Sequence, residues 1–137
     1  KSFANKICTY KTKFKYKDCV ISLLKYENNM IAKISSNFGC VYPHFHKLTI
    51  YGTKKTFEND IKHIRIFEDR ESKRIKEFNN DYKNYFKGNA IKVCLDSIGN
   101  YKTRKILIKR VFESLMICFG IEKSIKTNKN VKINYFS

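Results

Sequence analysis

The sequence predicts an α+β fold: an open, mostly antiparallel mixed sheet with helices packed on one face. Three observations predict it. The first half of the chain contains short alternating apolar runs separated by turn residues, whereas the second half carries apolar residues at helical spacing. The chain has 137 residues, of which 42% are hydrophobic, and this is enough for the core of one domain. We therefore expect residues 1–137 to form a single domain in which helices cover a sheet.

The first residues are strand-like, and two apolar runs at residues 19–26 and 30–38 follow them. The two runs are separated by Glu27-Asn28-Asn29. Asn can take the left-handed conformation that a tight hairpin turn requires. The pattern therefore predicts a β-hairpin.

A second group of strands follows. Residues 47–51 alternate and include β-branched side chains, Gly52 interrupts them, and extended patterns resume at residues 56–59 and 61–68. Residues 69–87 are charged and rich in Asn, which predicts an exposed loop with a short strand around residues 74–78. The pattern indicates a meander.

The remaining elements are helical, with one exception. Residues 89–98 predict a short amphipathic helix ended by Gly99, and a loop follows it. Residues 106–126 predict a long helix that packs one face onto the sheet. Asn128 is placed to end that helix in the left-handed conformation, and residues 131–135 predict a final strand.

The charge is strongly basic, with 29 Lys and Arg against 12 Asp and Glu, but 24 of the basic residues are Lys and they are spread along the chain. This favours solvated faces over a nucleic-acid partner. The five cysteines show no zinc-like spacing and predict reduced core residues of a cytoplasmic protein without a metal site. No apolar run approaches the roughly 18 residues of a membrane helix, so no membrane partner is expected.

One lysine-rich segment permits three interpretations. Lys11, Lys13, Lys15 and Lys17 alternate with residues that include Phe14 and Tyr16. Such a segment could stack single-stranded nucleic acid. Its lysines could also attract an anionic substrate, such as a nucleotide sugar, towards the sheet. We favour a strand with a lysine face towards solvent and an aromatic face that is buried.

Four segments, in order, carry a family resemblance: LLKYENNMIAKISSNFG, LTIYGTKKTF, NAIKVCLDSI and GIEKSIKTNKNVKI. Together they resemble the C-terminal domain of the Gfo/Idh/MocA oxidoreductases, the family of glucose-fructose oxidoreductase and inositol dehydrogenase. The resemblance implies an N-terminal Rossmann domain that binds NAD or NADP. It also implies that this chain is the substrate-binding and oligomerisation domain of a sugar or sugar-nucleotide oxidoreductase, with homo-oligomer contacts through the open sheet face.

The chain departs from the family at three glycine positions, where it has Asn29, Lys55 and Asn128. Asn tolerates positive φ, whereas Lys55 would be strained by roughly 1 kcal/mol if its turn still needs positive φ. The cofactor-binding GxGxxG turn and the family's catalytic Lys and His patterns do not occur here. We therefore expect no catalytic residue and no bound cofactor in this chain. Because it opens without Met on a strand-like segment, we expect it to be part of a longer polypeptide.

The loop of residues 37–46 is the predicted substrate-pocket rim. It contains Asn37, Tyr42, His44 and His46, whose side chains can all hydrogen-bond a sugar hydroxyl. The alternative is that the loop only connects two hairpins. A zinc site formed by the two histidines with Cys40 is disfavoured because the ligand set is incomplete.

A different class of function remains open beside the dehydrogenase domain. The chain would then be a free-standing basic α+β module that binds nucleic acid or another polyanion.

Overall fold

The computed structural model describes residues 1–71, 73–80 and 88–135, and within these ranges it shows an α+β fold with open antiparallel sheets. The described elements are β1 (Ser2–Asn5), β2 (Cys19–Lys25), β3 (Ile31–Asn37), β4 (Thr49–Tyr51), β5 (Thr56–Asn59), β6 (His63–Phe67), β7 (Ile75–Asn79), α1 (Asn89–Ser97) and α2 (Tyr101–Thr127). The strands form two sheets, β1-β2-β3 and β4-β5-β6-β7. The chain divides into two compact units, residues 1–41 with 94–137, and residues 42–93.

The predicted first hairpin is confirmed. Strands β2 and β3 pair antiparallel from Cys19 opposite Asn37 to Lys25 opposite Ile31. Asn29 occupies the left-handed region at φ 64°, as the turn chemistry predicted. Its main-chain N–H donates to the carbonyl oxygen of Tyr26 at 3.0 Å, which closes the turn.

Small side chains mediate the contact between the first sheet and α2. Ser2 stands opposite Ser22 in the β1–β2 pair, and its main-chain N–H donates to the Ser124 hydroxyl at 3.0 Å. All three serines are buried. Further along α2, a Cβ atom added to Gly120 would lie 2.8 Å from the side chain of Ile133. The helix therefore approaches its neighbours through residues that have little apolar surface to bury.

Helix α2 starts earlier than the apolar spacing predicted. Asn100 takes an extended conformation, and its side-chain oxygen accepts a hydrogen bond from the N–H of Thr103 at 3.1 Å, which is N-cap geometry. This cap begins the helix at Tyr101. The other end agrees with the prediction, because Asn128 closes the helix at φ 52°.

The second sheet is the predicted meander, and the short strand predicted around residues 74–78 forms its edge. The segment around residues 74–78 forms β7 (Ile75–Asn79), which pairs with β6. The rest of the predicted loop includes Ser72 and residues 81–87, which lie outside the described residues. The register gives this sheet an apolar face and a charged face, and the charged face has Arg65 between Glu58 and Glu77.

The turn between β4 and β5 does not strain Lys55. Among the described residues other than glycine, only Asn29 and Asn128 have positive φ. The N–H of Gly52 donates to the carbonyl oxygen of Lys55 at 3.0 Å, and a Cβ on Gly52 would lie 2.7 Å from that oxygen. Gly52 is therefore needed for a close backbone approach.

Two predicted strands are not formed. Residues 131–135 are not in a strand and pack against α2 through Ile133 instead. Residues 11–17 leave the sheet after β1 and form turns and irregular structure. A period-two pattern makes a strand only where a neighbouring strand accepts its hydrogen bonds, and neither segment has such a neighbour among the described strands.

The chain buries little apolar surface. No apolar side chain among the described residues is fully buried, and large ones such as Ile31 and Phe38 are more than two-thirds exposed. The accessible surface is 12249 Å². A folded monomer of 16.3 kDa exposes about 7,500 Å², and two separate chains with the sizes of the two units would expose about 9,000 Å². Many large apolar side chains of the described residues are therefore exposed to solvent and not packed in a core.

Two further expectations concern cysteine and the membrane. Cys8, Cys40, Cys94 and Cys118 are exposed and Cys19 is half-buried, so the prediction that the cysteines are core residues was wrong. All five are free thiols in this structure. Neither described helix is both long enough and apolar enough to cross a membrane.

Candidate functional site

Asn37, the first predicted substrate-binding residue, ends β3 in the first unit and is exposed. Its side-chain oxygen accepts a hydrogen bond from the N–H of Gly39 at 2.9 Å. Its carbonyl oxygen accepts from the Cys40 thiol at 3.5 Å. The amide oxygen therefore shapes the turn after β3, and the amide NH₂ group remains as the donor for a ligand.

Tyr42, His44 and His46, the other predicted residues, begin the second unit and are exposed. The two imidazole rings contact each other edge to face, with centroids 5.1 Å apart. Asn59 in β5 holds the end of this loop, because its amide nitrogen donates to the carbonyl oxygen of His46 at 3.2 Å. The structure thus brings two of the predicted residues, His44 and His46, together.

These histidines do not complete a metal site with described residues. No group of three His, Cys, Asp or Glu side chains that could hold a metal ion occurs in the part of the chain that the structure describes. His63 lies on strand β6, as predicted. Its ring nitrogens are each 3.8 Å from a carboxylate oxygen, of Asp60 on one side and of Glu77 on the other.

Asp60 serves the turn between β5 and β6. The main-chain N–H groups of His63 and Lys62 both donate to it at 2.7 Å, and the Arg65 guanidinium donates at 2.6 Å. These main-chain hydrogen bonds, with the charge of Arg65, hold the pKa of Asp60 below its ordinary value. Asp60, His63 and Arg65 therefore stabilise the turn between β5 and β6, and their arrangement does not require a ligand.

Residues 6–17, for which the sequence analysis favoured a strand, form a loop instead, which we call the basic aromatic loop. A turn at its centre is closed by the N–H of Thr12, which donates to the carbonyl oxygen of Thr9 at 3.0 Å. The Thr12 hydroxyl donates to the same oxygen and accepts from the N–H of Phe14. These local bonds replace the strand ladder that the alternation predicted.

Asp18 anchors this loop. Its carboxylate accepts hydrogen bonds from the N–H of Thr9 at 2.6 Å, from the Thr9 hydroxyl at 2.8 Å and from the N–H of Ile7 at 3.3 Å. Burial raises the pKa of Asp18, but the hydrogen bonds from Thr9 and Ile7 outweigh burial, so the pKa lies below its ordinary value. The main chain of Asp18 links the end of β1 to the residue after β3, because its N–H donates to the carbonyl oxygen of Asn5 and its carbonyl oxygen accepts from the N–H of Phe38.

Three aromatic rings meet on this loop. The ring of Phe14 lies 5.8 Å from that of Tyr16, edge to face, and 6.2 Å from that of Phe38. Tyr16 and Phe38 are each 75% exposed, and Phe14 is 37% exposed. The prediction that the aromatic side chains are buried on a strand face was therefore wrong.

The lysines of the loop form no salt bridge with residues that the structure describes. Lys11, Lys13, Lys15 and Lys17 are exposed. The carboxylate of Asp18, the only acidic side chain at the loop, is occupied by donors of the loop itself. The surface thus combines uncompensated positive charge with open aromatic rings. A sequence signal was available, since residues 6–17 contain five lysines and no acidic residue.

The first unit also contains an open cavity of about 840 Å³. It lies between the end of the β2–β3 hairpin, α2 and residues 130–135. Its lining includes aliphatic side chains such as those of Leu24 and Ile121, together with polar residues that include Lys1, Lys25 and Lys132. The side-chain ammonium group of Lys1 donates a hydrogen bond to the side-chain oxygen of Asn128 at 2.7 Å.

The described residues do not fit a nicotinamide dinucleotide. Such a cofactor binds where a glycine-rich turn joins a strand to a helix N-terminus in a parallel sheet. Both sheets here are antiparallel, and α2 starts at an Asn cap that follows another helix. No family model matches the chain, and neither a curated protein nor a solved structure matches it.

Proposed function

We propose that this chain is the substrate-binding and oligomerisation domain of an NAD(P)-dependent sugar or sugar-nucleotide oxidoreductase of the cytoplasm. The cofactor and the catalytic groups would belong to an N-terminal Rossmann domain of the same polypeptide, and this chain would not be active on its own. Its own residues would bind and orient the substrate, with Asn37, Tyr42, His44 and His46 as candidate hydrogen-bonding groups.

The observation that carries the proposal is the uncovered apolar surface. On the face of the first sheet opposite Ser2 and Ser22, the side chains of Phe3, Ile21 and Leu23 are 60%, 43% and 51% exposed. Contiguous apolar surface of this kind marks a protein interface. A domain that contacts both a cofactor domain and a second copy of itself would cover such surface.

The turns support the same proposal. The resemblance depends on two hairpins that have Asn29 and Lys55 where the family has glycine. Asn29 takes the left-handed conformation that glycine would take, and Lys55 does not need it. The substitution at Asn29 is therefore compatible with a glycine turn, and the turn at Lys55 forms without positive φ at that residue.

The coding region upstream of Lys1 tests the proposal directly. We expect it to encode a strand, a glycine-rich turn and a helix, followed by a catalytic Lys and a helix with a catalytic His. The longer polypeptide should bind NAD or NADP in calorimetry, whereas the 137-residue chain should not. An upstream region without a strand, glycine-rich turn and helix would refute the proposal.

Oligomerisation through the open face is tested on the same longer polypeptide. Light scattering should show an oligomer, and Leu23→Glu should shift it towards the monomer, because a buried unpaired carboxylate is costly at an apolar interface. Lys105→Glu, at an exposed polar position on α2, is the control and should leave the oligomer intact. A wild-type protein that stays monomeric at high concentration would contradict this part of the proposal.

One observation favours the second candidate, a free-standing basic module that binds nucleic acid or another polyanion. The aromatic residues of the basic aromatic loop are exposed among unpaired lysines, which is the composition of a single-strand binding surface. Such a module should bind oligonucleotides with an affinity that falls steeply with salt. Failure to bind at low salt would remove this candidate.

A further inference from the structure

We propose that the basic aromatic loop, together with Phe38, is a binding site for the nucleoside diphosphate portion of a nucleotide-linked ligand. The base would stack on the exposed ring of Tyr16 or Phe38, and the phosphates would contact the loop lysines. The inference deepens the proposed function, since it selects a sugar nucleotide over a free sugar as its substrate class. Its geometric basis is independent of that function.

The rings fit one base rather than a run of bases. Phe14, Tyr16 and Phe38 form a single cluster in which Phe14 contacts both of the others. Phe14 is the least exposed ring and supports the two outer rings, which are open to solvent. Single-strand binding proteins instead present separate rings to successive bases along a groove, with sites of roughly 4 to 16 nucleotides per domain.

The charge fits phosphate groups. The four exposed lysines at positions 11, 13, 15 and 17 are not neutralised by described residues, and the loop contains no Arg. Lysine ammonium groups bind phosphates as point charges, whereas base edges are usually read by bidentate Arg. A diphosphate would therefore add the negative charge that this surface lacks.

The loop has a fixed attachment to the sheet. Asp18 ties Ile7 and Thr9 to its carboxylate, and its carbonyl oxygen accepts from the N–H of Phe38 at 2.8 Å. The Cys8 side chain lies so close to Gly39 that an added Cβ would stand 2.0 Å from it. The loop and Phe38 are thus held together before a ligand binds, which lowers the ordering cost of binding.

Binding to the 137-residue chain tests the inference, with UDP and ADP as probes in calorimetry and saturation-transfer NMR. Either diphosphate should bind at least about tenfold more tightly than its nucleoside or inorganic pyrophosphate. The reason is that one molecule then makes both the stacking contact and the phosphate contacts. Raising NaCl from about 50 to about 300 mM should weaken binding. In the NMR experiment, saturation should pass from the protein to the base protons of the bound nucleotide.

Ring and charge variants separate the two contributions. Tyr16→Ala with Phe38→Ala should weaken UDP binding by about fivefold to a hundredfold, and Tyr16→Phe should retain it. Lys13→Gln with Lys15→Gln should weaken binding and flatten its salt dependence. The matched controls are Tyr51→Ala, which removes a ring that is 84% exposed in β4, and Lys102→Gln with Lys105→Gln on α2. Circular dichroism verifies folding.

Three outcomes would overturn the inference. The first is UDP binding that the double ring variant leaves unchanged in a folded protein. The second is inorganic tripolyphosphate binding as tightly as UDP, which would show that the rings add nothing. The third is binding of oligonucleotides alone, which would instead support the nucleic-acid module. None of these depends on the upstream coding region, so this inference and the proposed function can fail separately.

Discussion

The basic aromatic loop and the β4–β7 meander carry their charges in opposite ways. Residues 58–80 of the meander contain six basic and six acidic residues, and several of them form ion pairs. Glu68, for example, accepts from Lys55 at 2.7 Å and lies 3.1 Å from the Lys76 ammonium group. The loop contains five lysines without an acidic residue, and its exposed lysines have no ion-pair partner among described residues.

The difference shows that the charge of +17 is not one uniform property of the chain. In the meander the lysines contribute to the fold, because they neutralise carboxylates on neighbouring strands. The exposed lysines of the loop neutralise no described carboxylate. The conformation of the loop depends on Asp18 and on main-chain hydrogen bonds. Lysines that the fold does not use are available to a ligand, and the exposed rings beside them narrow the class of ligand.

The largest expected effect comes from removing the anchor of the loop. Asp18→Ala leaves the N–H groups of Ile7 and Thr9 and the Thr9 hydroxyl without their acceptor at a site that is 1% exposed. We expect the melting temperature to fall by about 5 °C or more. Hydrogen exchange should show faster exchange at Thr9 and Phe38, with the meander unaffected.

Asp96→Ala is the matched control, because it removes an exposed carboxylate from α1. It should shift the melting temperature by about 1 °C or less. If Asp18→Ala behaved like this control, the loop would not be anchored as described, and its proposed ligand site would lose its rigid support.

The hairpin and the C-cap of α2 could be predicted from sequence because their causes are local. Asn29 and Asn128 both take positive φ, as their residue type and position indicated. The start of α2 was missed although its signal, an Asn three residues before Thr103, is also local. Local chemistry therefore accounts for most of the element boundaries.

The composition of the basic aromatic loop was visible in the sequence, but its conformation could not be predicted, because it depends on a contact with a residue outside the loop. Alternating lysines and aromatic residues are equally compatible with a strand, and the deciding interaction joins Thr9 to Asp18 nine residues away. Of the predicted site, the pairing of His44 with His46 follows from their spacing. The separate position of Asn37 in the first unit depends on how the chain divides, which no local pattern indicates.

The loop and the meander should also differ in how salt changes the pKa of a carboxyl group in each. The pKa values of Asp18 and Glu68 both lie below their ordinary values. A lowered folded-state pKa contributes stability that is complete above the ordinary carboxyl range and is lost as pH falls through the folded-state value. The free energy of unfolding should therefore stay level down to about pH 5 and then fall as the pH drops below about 4.

The two carboxyl groups owe their shifts to different causes. Hydrogen bonds from the Lys55 and Lys76 ammonium groups lower the pKa of Glu68, whereas hydrogen bonds from Thr9 and Ile7 overcome the effect of burial at Asp18. NMR titration of the carboxyl carbons at about 0.05 and 0.5 M NaCl measures the difference. The higher salt concentration should raise the pKa of Glu68 and leave that of Asp18 nearly unchanged. Equal salt shifts would mean that the two regions do not differ in this way.

The smallest effect is expected from neutralising lysines, and here the two regions should differ in sign. Lys55→Gln with Lys76→Gln removes both cations from Glu68 and should lower the free energy of unfolding by up to about 1 kcal/mol, since the pairs are near the surface. Lys13→Gln with Lys15→Gln removes two like charges and no ion pair. It should leave stability unchanged or raise it by a few tenths of a kcal/mol at low salt.

Urea unfolding of both double variants at low and high salt measures the contrast. High salt should reduce the loss of unfolding free energy in the meander variant, because salt screens the same ion pairs in the wild-type protein. It should also remove any gain in the loop variant. If neutralising the loop lysines destabilised the protein as much as neutralising those of the meander, the lysines would be part of the fold. Their lack of ion-pair partners could then no longer support a ligand site.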